Sequence, residues 1–200
     1  EVHIRDLRIR AIPDESLQNG ELEICTETWG EGTARFSLAY QGEVCFREER
    51  SLSGKDVFTW QVNAPRLWSA EQPDLYDLTI EILDKDGQLQ EMIPEKIGFR
   101  RFEMKDCIMT LNGKRIVFKG VNRHEFSSVS GRCVSEEELR KDLTVMKQNN
   151  INAIRTCHYP NPSILYRLCD EYGLCLIDET NLESHGSWDL VEQTKDYDYI

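Results

Sequence analysis

The 200-residue sequence contains no C-x-x-C pair, no apolar run long enough for a membrane helix, no basic stripe and only four histidines. Each of the first three gaps removes a class of function. The seven cysteines, at 25, 45, 107, 133, 157, 169 and 175, are odd in number and dispersed. Reduced thiols of a cytoplasmic protein are expected, and a zinc site built from Cys157, Cys169, Cys175 and a nearby histidine is the weaker reading, because the paired spacing of zinc motifs is missing. No stretch approaches the roughly 18 apolar residues of a membrane-spanning helix. With 36 acidic against 24 basic residues the formal charge is -12, which repels a phosphate backbone, so nucleic acid is not an expected partner and a neutral ligand fits better. The opening EVHIRDLRIRA reads as a strand rather than a leader, as if the chain began in mid-protein.

What is present is an ordinary folded composition, 40% hydrophobic and 9% aromatic, arranged in two grammars. Up to about residue 100 the apolar pattern has period two. Leu22, Ile24, Thr26 and Thr28 share a face opposite Glu21, Glu23 and Glu27; Phe58, Trp60 and Val62 alternate likewise, as do Tyr76, Leu78, Ile80 and Ile82. Asn19-Gly20, Gln41-Gly42, Ser53-Gly54 and Asp86-Gly87 read as turns between short antiparallel strands of a sandwich. Trp60, Trp68 and Tyr76 are expected in its core rather than on a sugar-stacking platform. His3 belongs to this half and carries no assigned role.

Near residue 100 the pattern changes. CIMTLNGKRIVF reads as a hairpin turning at Asn112-Gly113, leading into the strand VFKGVN. SEEELRKDLTVMKQNN offers Ser135 as an N-cap with Glu138 three residues on, and places Leu139, Leu143 and Met146 on one helical face. INAIRT follows as a buried strand. NPSILYRLCDEYG predicts a second helix, with Pro162 in its first turn, Ile164, Leu165, Leu168 and Cys169 inward and Gly173 as its stop. LCLID is a third strand. This strand, helix, strand, helix, strand order with short connections implies parallel pairing.

Parallel βα units gather the residues that follow each strand on one face, where ligands bind. The three exits are NRHEFSSVSGR, CHYPN and ETNLESHG, and each carries one histidine: His124, His158 and His185. For any one of them a capping or surface role is the simpler reading; three at matching exits point to a shared site. Glu183 and His185 are two apart, so in extended backbone they face the same side and can reach one ion together, although a carboxylate with an imidazole suits manganese or zinc as well as magnesium.

At these residues a resemblance enters. GVNRHE, MKQNNINAIRTCHYPN, LCDEYGLCLIDETNLESHG, PRLWSAEQPDLY and GFR closely resemble the family 2 glycoside hydrolases, specifically the large bacterial β-galactosidases, over nearly the whole chain. The resemblance implies an immunoglobulin-like β-sandwich over 1–103, followed over 104–200 by the first βα units of an incomplete (β/α)8 TIM barrel. By the same resemblance Glu183 and His185 are magnesium ligands, His124 and His158 line a galactosyl pocket, and Arg155 supports catalysis by contacting the nucleophilic carboxylate. Glu179 and Asn181 lie in the motif without an assigned role. The FSSVSG that follows Glu125 departs from the histidines and proline of the galactosidases, which sets the rim of the pocket apart.

Retaining glycoside hydrolysis needs two carboxylates about 5 to 5.5 Å apart. The resemblance places the acid/base after the fourth barrel strand and the nucleophile later still, both beyond residue 200, so Glu125, Glu179 and Glu183 are not promoted to those roles. The chain is therefore expected to be an inactive piece of a homo-oligomeric, magnesium-dependent enzyme that hydrolyses β-galactosides such as lactose, with the rest of that enzyme as its partner. The alternatives are a piece of another family 2 enzyme, a β-mannosidase or β-glucuronidase, and a non-catalytic carbohydrate-binding or structural module.

Overall fold

The structure, a computed structural model, describes residues 2–182. Its first half is a two-layer sandwich. One sheet is ordered β1 (His3–Pro13), β2 (Asn19–Trp29), β5 (Lys55–Asn63); the other is ordered β4 (Glu43–Leu52), β3 (Gly32–Tyr40), β6 (Tyr76–Leu83), β7 (Leu89–Ile97). All pairings are antiparallel. The architecture is immunoglobulin-like, with the fourth strand joined to the third rather than to the fifth.

Alternation explains the core. Leu22 and Ile24 of the first sheet meet Phe36, Leu38 and Ile80 of the second, all five with no solvent exposure. Trp60 lies against Phe36 with centroids 4.9 Å apart and stacks on Phe46 at 5.0 Å. Trp60, Trp68 and Tyr76 are 7%, 2% and 4% exposed, so they form no sugar platform.

The Gln41-Gly42, Asp86-Gly87 and Asn112-Gly113 turns stand where expected, each with its glycine at positive φ. Asn19-Gly20 does not. Those two residues open β2, with Gly20 opposite Pro13, and the reversal falls at Asp14–Gln18, where Asp14 accepts from Ser16, Gln18 and Asn19. Gly20 is needed for a different reason, because a Cβ there would come 2.7 Å from the Phe99 ring.

Beyond the sandwich, β8 (Phe102–Lys105), β9 (Ile108–Leu111) and β10 (Lys114–Arg115) form a small antiparallel sheet. The division expected after residue 103 falls inside β8. Then β11 (Gly120–Arg123), β12 (Ala153–Thr156) and β13 (Cys175–Ile177) pair in parallel, alternating with α1 (Glu136–Gln148) and α2 (Ser163–Tyr172). This is the start of a TIM barrel. In α1 the capping box is complete: Ser135 accepts from the Glu138 N–H, and the Glu138 carboxylate accepts from the Ser135 N–H. In α2, Pro162 occupies the cap position just ahead of the first turn, and Gly173 ends the helix in the left-handed region at φ 71. Leu139, Leu143, Ile154, Leu165 and Leu168 pack together between the helices and the sheet.

The two halves are fastened by residues from PRLW and GFR. Trp68 N–H bonds the Phe99 carbonyl at 2.9 Å, bringing the two segments side by side. The Trp68 indole then donates to the Asp170 carbonyl of α2 at 2.8 Å, and Arg100 lies over the indole at 4.6 Å while pairing with the Asp170 carboxylate at 2.7 Å. Lys147 of α1 closes the joint, donating to the carbonyls of Ala70 at 2.7 Å and Gly173 at 3.1 Å. No helix among the described residues is long and apolar enough to cross a membrane.

Candidate functional site

The carboxyl ends of β11, β12 and β13 lie on one face, in register from Arg123 opposite Thr156 and from Arg155 opposite Ile177. Sequence order thus becomes proximity. His124 directly follows β11 and His158 follows β12 by one residue, and their rings stand edge to face with centroids 5.3 Å apart. Both are exposed at the surface of this face.

Glu179 joins them to the third strand. Arg155 Nε donates to Glu179 Oε1, and Glu179 Oε2 lies 3.3 Å from His158 Nδ1. Arg155 Nη2 also comes within 3.4 Å of that nitrogen. Nδ1 cannot donate to the carboxylate and accept from the guanidinium at once. A carboxylate only accepts, so the bond to Glu179 requires the proton on Nδ1, whereas Arg155 is brought near by its own bond to Glu179. Arg155 further reaches Asn122 Oδ1 of β11 at 3.4 Å. One carboxylate thereby ties residues of β12 and its exit to the end of β13.

The third exit is fixed from beneath. The Thr156 hydroxyl donates to Asp178 Oδ1 at 2.9 Å and accepts from the Glu179 N–H at 3.0 Å. Tyr166 of α2 donates to the same Asp178 oxygen at 2.9 Å. Burial pushes the Tyr166 phenol up, and the neighbouring Asp178 carboxylate adds to the rise, so the hydroxyl stays a donor. Toward the rim, Arg132 lies 4.9 Å over the Tyr159 ring, and Ser127 donates to the Glu138 carboxylate of α1 at 2.6 Å. The Ser127 hydroxyl is the first cause holding the Glu138 carboxyl below its usual range, ahead of the Ser135 N–H and hydroxyl.

Of the residues singled out by sequence, His124, His158 and Arg155 are brought together. Glu125 neighbours them, its N–H donating to the Tyr159 hydroxyl at 3.3 Å. Glu183 and His185 lie outside the described residues. Cys157 and Cys169 are buried and Cys175 is half-buried, and all three are free. Burial, the leading cause, pushes the Cys169 thiol up to about 12, so it behaves as a small apolar group. Sequence reading missed the part played by Glu179, because its partners come from another strand, and it overlooked Arg123, Tyr159 and Asn161 beside the histidines. The available signal was their position at the same two exits.

Chemically, the face presents two imidazole edges beside a carboxylate and a guanidinium, of which the His158 ring, Glu179 and Arg155 lie within hydrogen-bonding distance of one another. That combination suits a ligand rich in hydroxyls, each able both to donate and to accept.

Residues 2–100 match the family model described as "Glycosyl hydrolases family 2", and residues 102–200 match "Glycosyl hydrolases family 2, TIM barrel domain". The β-galactosidase of Halalkalibacterium halodurans is 49% identical over 193 residues, and that of Streptococcus thermophilus 47% over 192, in each case covering 94% of this chain and 19% of the relative. The chain thus spans about a fifth of the length of those two relatives. Among solved structures, the apo β-glucuronidase 3 of Bacteroides uniformis superposes with a TM-score of 0.83 at 28% identity, covering 92% of this chain and 24% of that one.

Proposed function

The chain belongs to glycoside hydrolase family 2, and from that premise we propose that it forms the immunoglobulin-like domain and first barrel units of a retaining β-galactosidase acting on terminal β-D-galactosides such as lactose. The observation that carries this reading is the 49% identity to a β-galactosidase over 94% of the chain. In this reading His124 and His158 hydrogen-bond sugar hydroxyls. Glu179 holds the Arg155 guanidinium at the strand end, from which it reaches the nucleophilic carboxylate. The acid/base and nucleophile glutamates lie beyond residue 200, so the 200 residues alone hydrolyse nothing.

The donor chemistry of Glu183 and His185 fits a divalent cation, since a carboxylate supplies the charged oxygen that magnesium requires and magnesium keeps several waters of its own. When bound, the cation would add positive charge to the site. The chain's own contribution is to orient the sugar and to keep the Arg155 guanidinium aimed.

A β-glucuronidase is the second reading, favoured by the 28% identical Bacteroides uniformis structure. The test is hydrolysis of nitrophenyl β-galactoside and β-glucuronide by the enzyme that carries this chain. The galactoside is expected to be preferred, with His124→Ala and His158→Ala each lowering kcat/KM by roughly 10² to 10³. Glu183→Gln should raise the magnesium concentration needed for half-activation. Preference for the glucuronide, or unchanged kinetics in both histidine variants, overturns the assignment. Galactosidase activity from the purified 200 residues overturns the placement of the glutamates.

A further inference from the structure

His124 and His158 project from exposed loops, yet the residues around them are fastened to one another by a closed set of hydrogen bonds. Arg123, the last residue of β11, is only 6% exposed. Its Nε and Nη2 donate to Asp142 Oδ2 of α1 at 3.2 and 3.1 Å, and its Nη1 donates to Asn161 Oδ1 at 3.2 Å. Asn161, 8% exposed, turns its amide N–H to the Tyr159 carbonyl at 3.1 Å. The Tyr159 hydroxyl in turn accepts from the Glu125 N–H at 3.3 Å. The two residues flanking His124 are therefore both tied to the segment that immediately follows His158.

A buried guanidinium is costly unless paired and fully hydrogen-bonded. Here the pairing spans three separate elements, α1, the end of β11 and the loop after β12. Strand pairing ends at Arg123 and Thr156, with one further backbone bond from the Cys157 N–H to the Arg123 carbonyl at 3.0 Å, and beyond it these side-chain bonds tie the two histidine loops to each other. We propose that Arg123, Asn161 and Tyr159 are positioning residues that form a clamp setting the spacing and angle of the His124 and His158 rings, acting on a bound sugar only through those two. The kinetic consequence rests on the reading of the histidines as sugar contacts; the geometric one does not. A displacement of about 1 Å in a site of this kind can cost on the order of 100-fold in rate.

Two measurements test the clamp. In the 200-residue chain, Asn161→Ala and Tyr159→Phe should shift the imidazole NMR signals of His124 and His158 while leaving that of His3 in place. In the enzyme that carries this chain, Asn161→Ala should lower kcat/KM by about 10- to 100-fold, mostly in kcat, whereas in a His124→Ala, His158→Ala background the same change should cost less than about twofold. If Asn161→Ala prevents folding, Tyr159→Phe, which removes one oxygen, carries both arms. Equal losses in the two backgrounds, or unmoved His124 and His158 signals, overturn the proposal. Should the enzyme turn over no glycoside at all, the functional reading fails and the imidazole signals still decide the clamp.

Discussion

The sandwich and the βα segment meet the demand for burial in opposite ways. Each sheet of the sandwich turns its apolar face to the other, and Leu22, Ile24, Phe36, Leu38 and Ile80 are shielded completely. The three parallel strands have one face covered by α1 and α2 through Ile154, Leu165 and Leu168. Their other face carries Asn122, Arg155 and Ile177, and Ile177 is 45% exposed, as Phe102 and Val117 nearby are each 55% exposed. Among the described residues, β11 and β13 each pair on one side only. A sheet that fills its own core owes little to its neighbours; a sheet covered on one face depends on what it leans against. The joint built from Trp68, Arg100, Lys147 and Asp170 is that support, and it should govern how readily the βα segment opens.

The most damaging way to test this dependence is Trp68→Ala. Truncating a Trp that is 2% exposed leaves a large cavity and an unpaired Asp170 carbonyl, with an expected cost of about 3 to 5 kcal/mol. Amide exchange should accelerate in α1 and α2 as well as in β6 and β7. Acceleration confined to the sandwich would show that the segment stands without the joint.

A smaller and more local break is Gly173→Ala. The residue sits at φ +71, and a Cβ would stand 2.5 Å from the Ala70 carbonyl oxygen, so a loss of about 1 to 3 kcal/mol is expected. Exchange should rise in α2 and β13 while the sandwich amides keep their protection. Equal loosening of both regions would mean that they unfold as one unit.

Acid should give the mildest effect, and in both regions, since Asp14 and Glu31 of the sandwich, held down chiefly by the Ser16 hydroxyl and by Lys85, titrate below their ordinary values as Glu138 of α1 does. The folded Glu138 carboxyl titrates below its ordinary value, chiefly because of the Ser127 hydroxyl. A depressed folded pKa means that its stabilisation is present above the unfolded value, about 4.3, and is lost as pH falls through the folded one. The helical signal of α1 should therefore weaken below about pH 4.3, and Ser127→Ala should move that loss to higher pH while leaving the acid response of the sandwich signal unchanged. An acid profile unchanged by Ser127→Ala would remove that hydroxyl as the cause.

Much of the fold was legible because its signals are local. The alternation of Leu22, Ile24, Thr26 and Thr28, the Ser135–Glu138 box and the Gly173 stop each follow from neighbours in sequence, and the structure contains all of them. Asn19-Gly20 misled because a glycine needed for close approach reads like one needed for a turn; the Phe99 ring that demands it arrives from the far end of the sandwich. PRLW and GFR were visible only as family resemblance, since their shared task depends on α2 being brought alongside them. His124 and His158 were found from their places after strands, and Arg155, within β12, from the family resemblance alone. Glu179 was in view without a partner, because Arg155 and His158 lie one helix earlier in the chain.

The sequence by itself determined the elements and the face on which the loops collect, because periods of 2 and 3.6 residues express burial through neighbouring positions, and parallel βα order sends every strand exit the same way. Only the tertiary structure decided that β4 pairs with β3, that Glu179 takes Arg155 and His158, and that Arg123 reaches both Asp142 and Asn161. Those choices join residues distant in sequence. They are set by packing, by the cost of leaving a buried guanidinium unpaired and by the reach of individual side chains, none of which leaves a mark in the residues on either side.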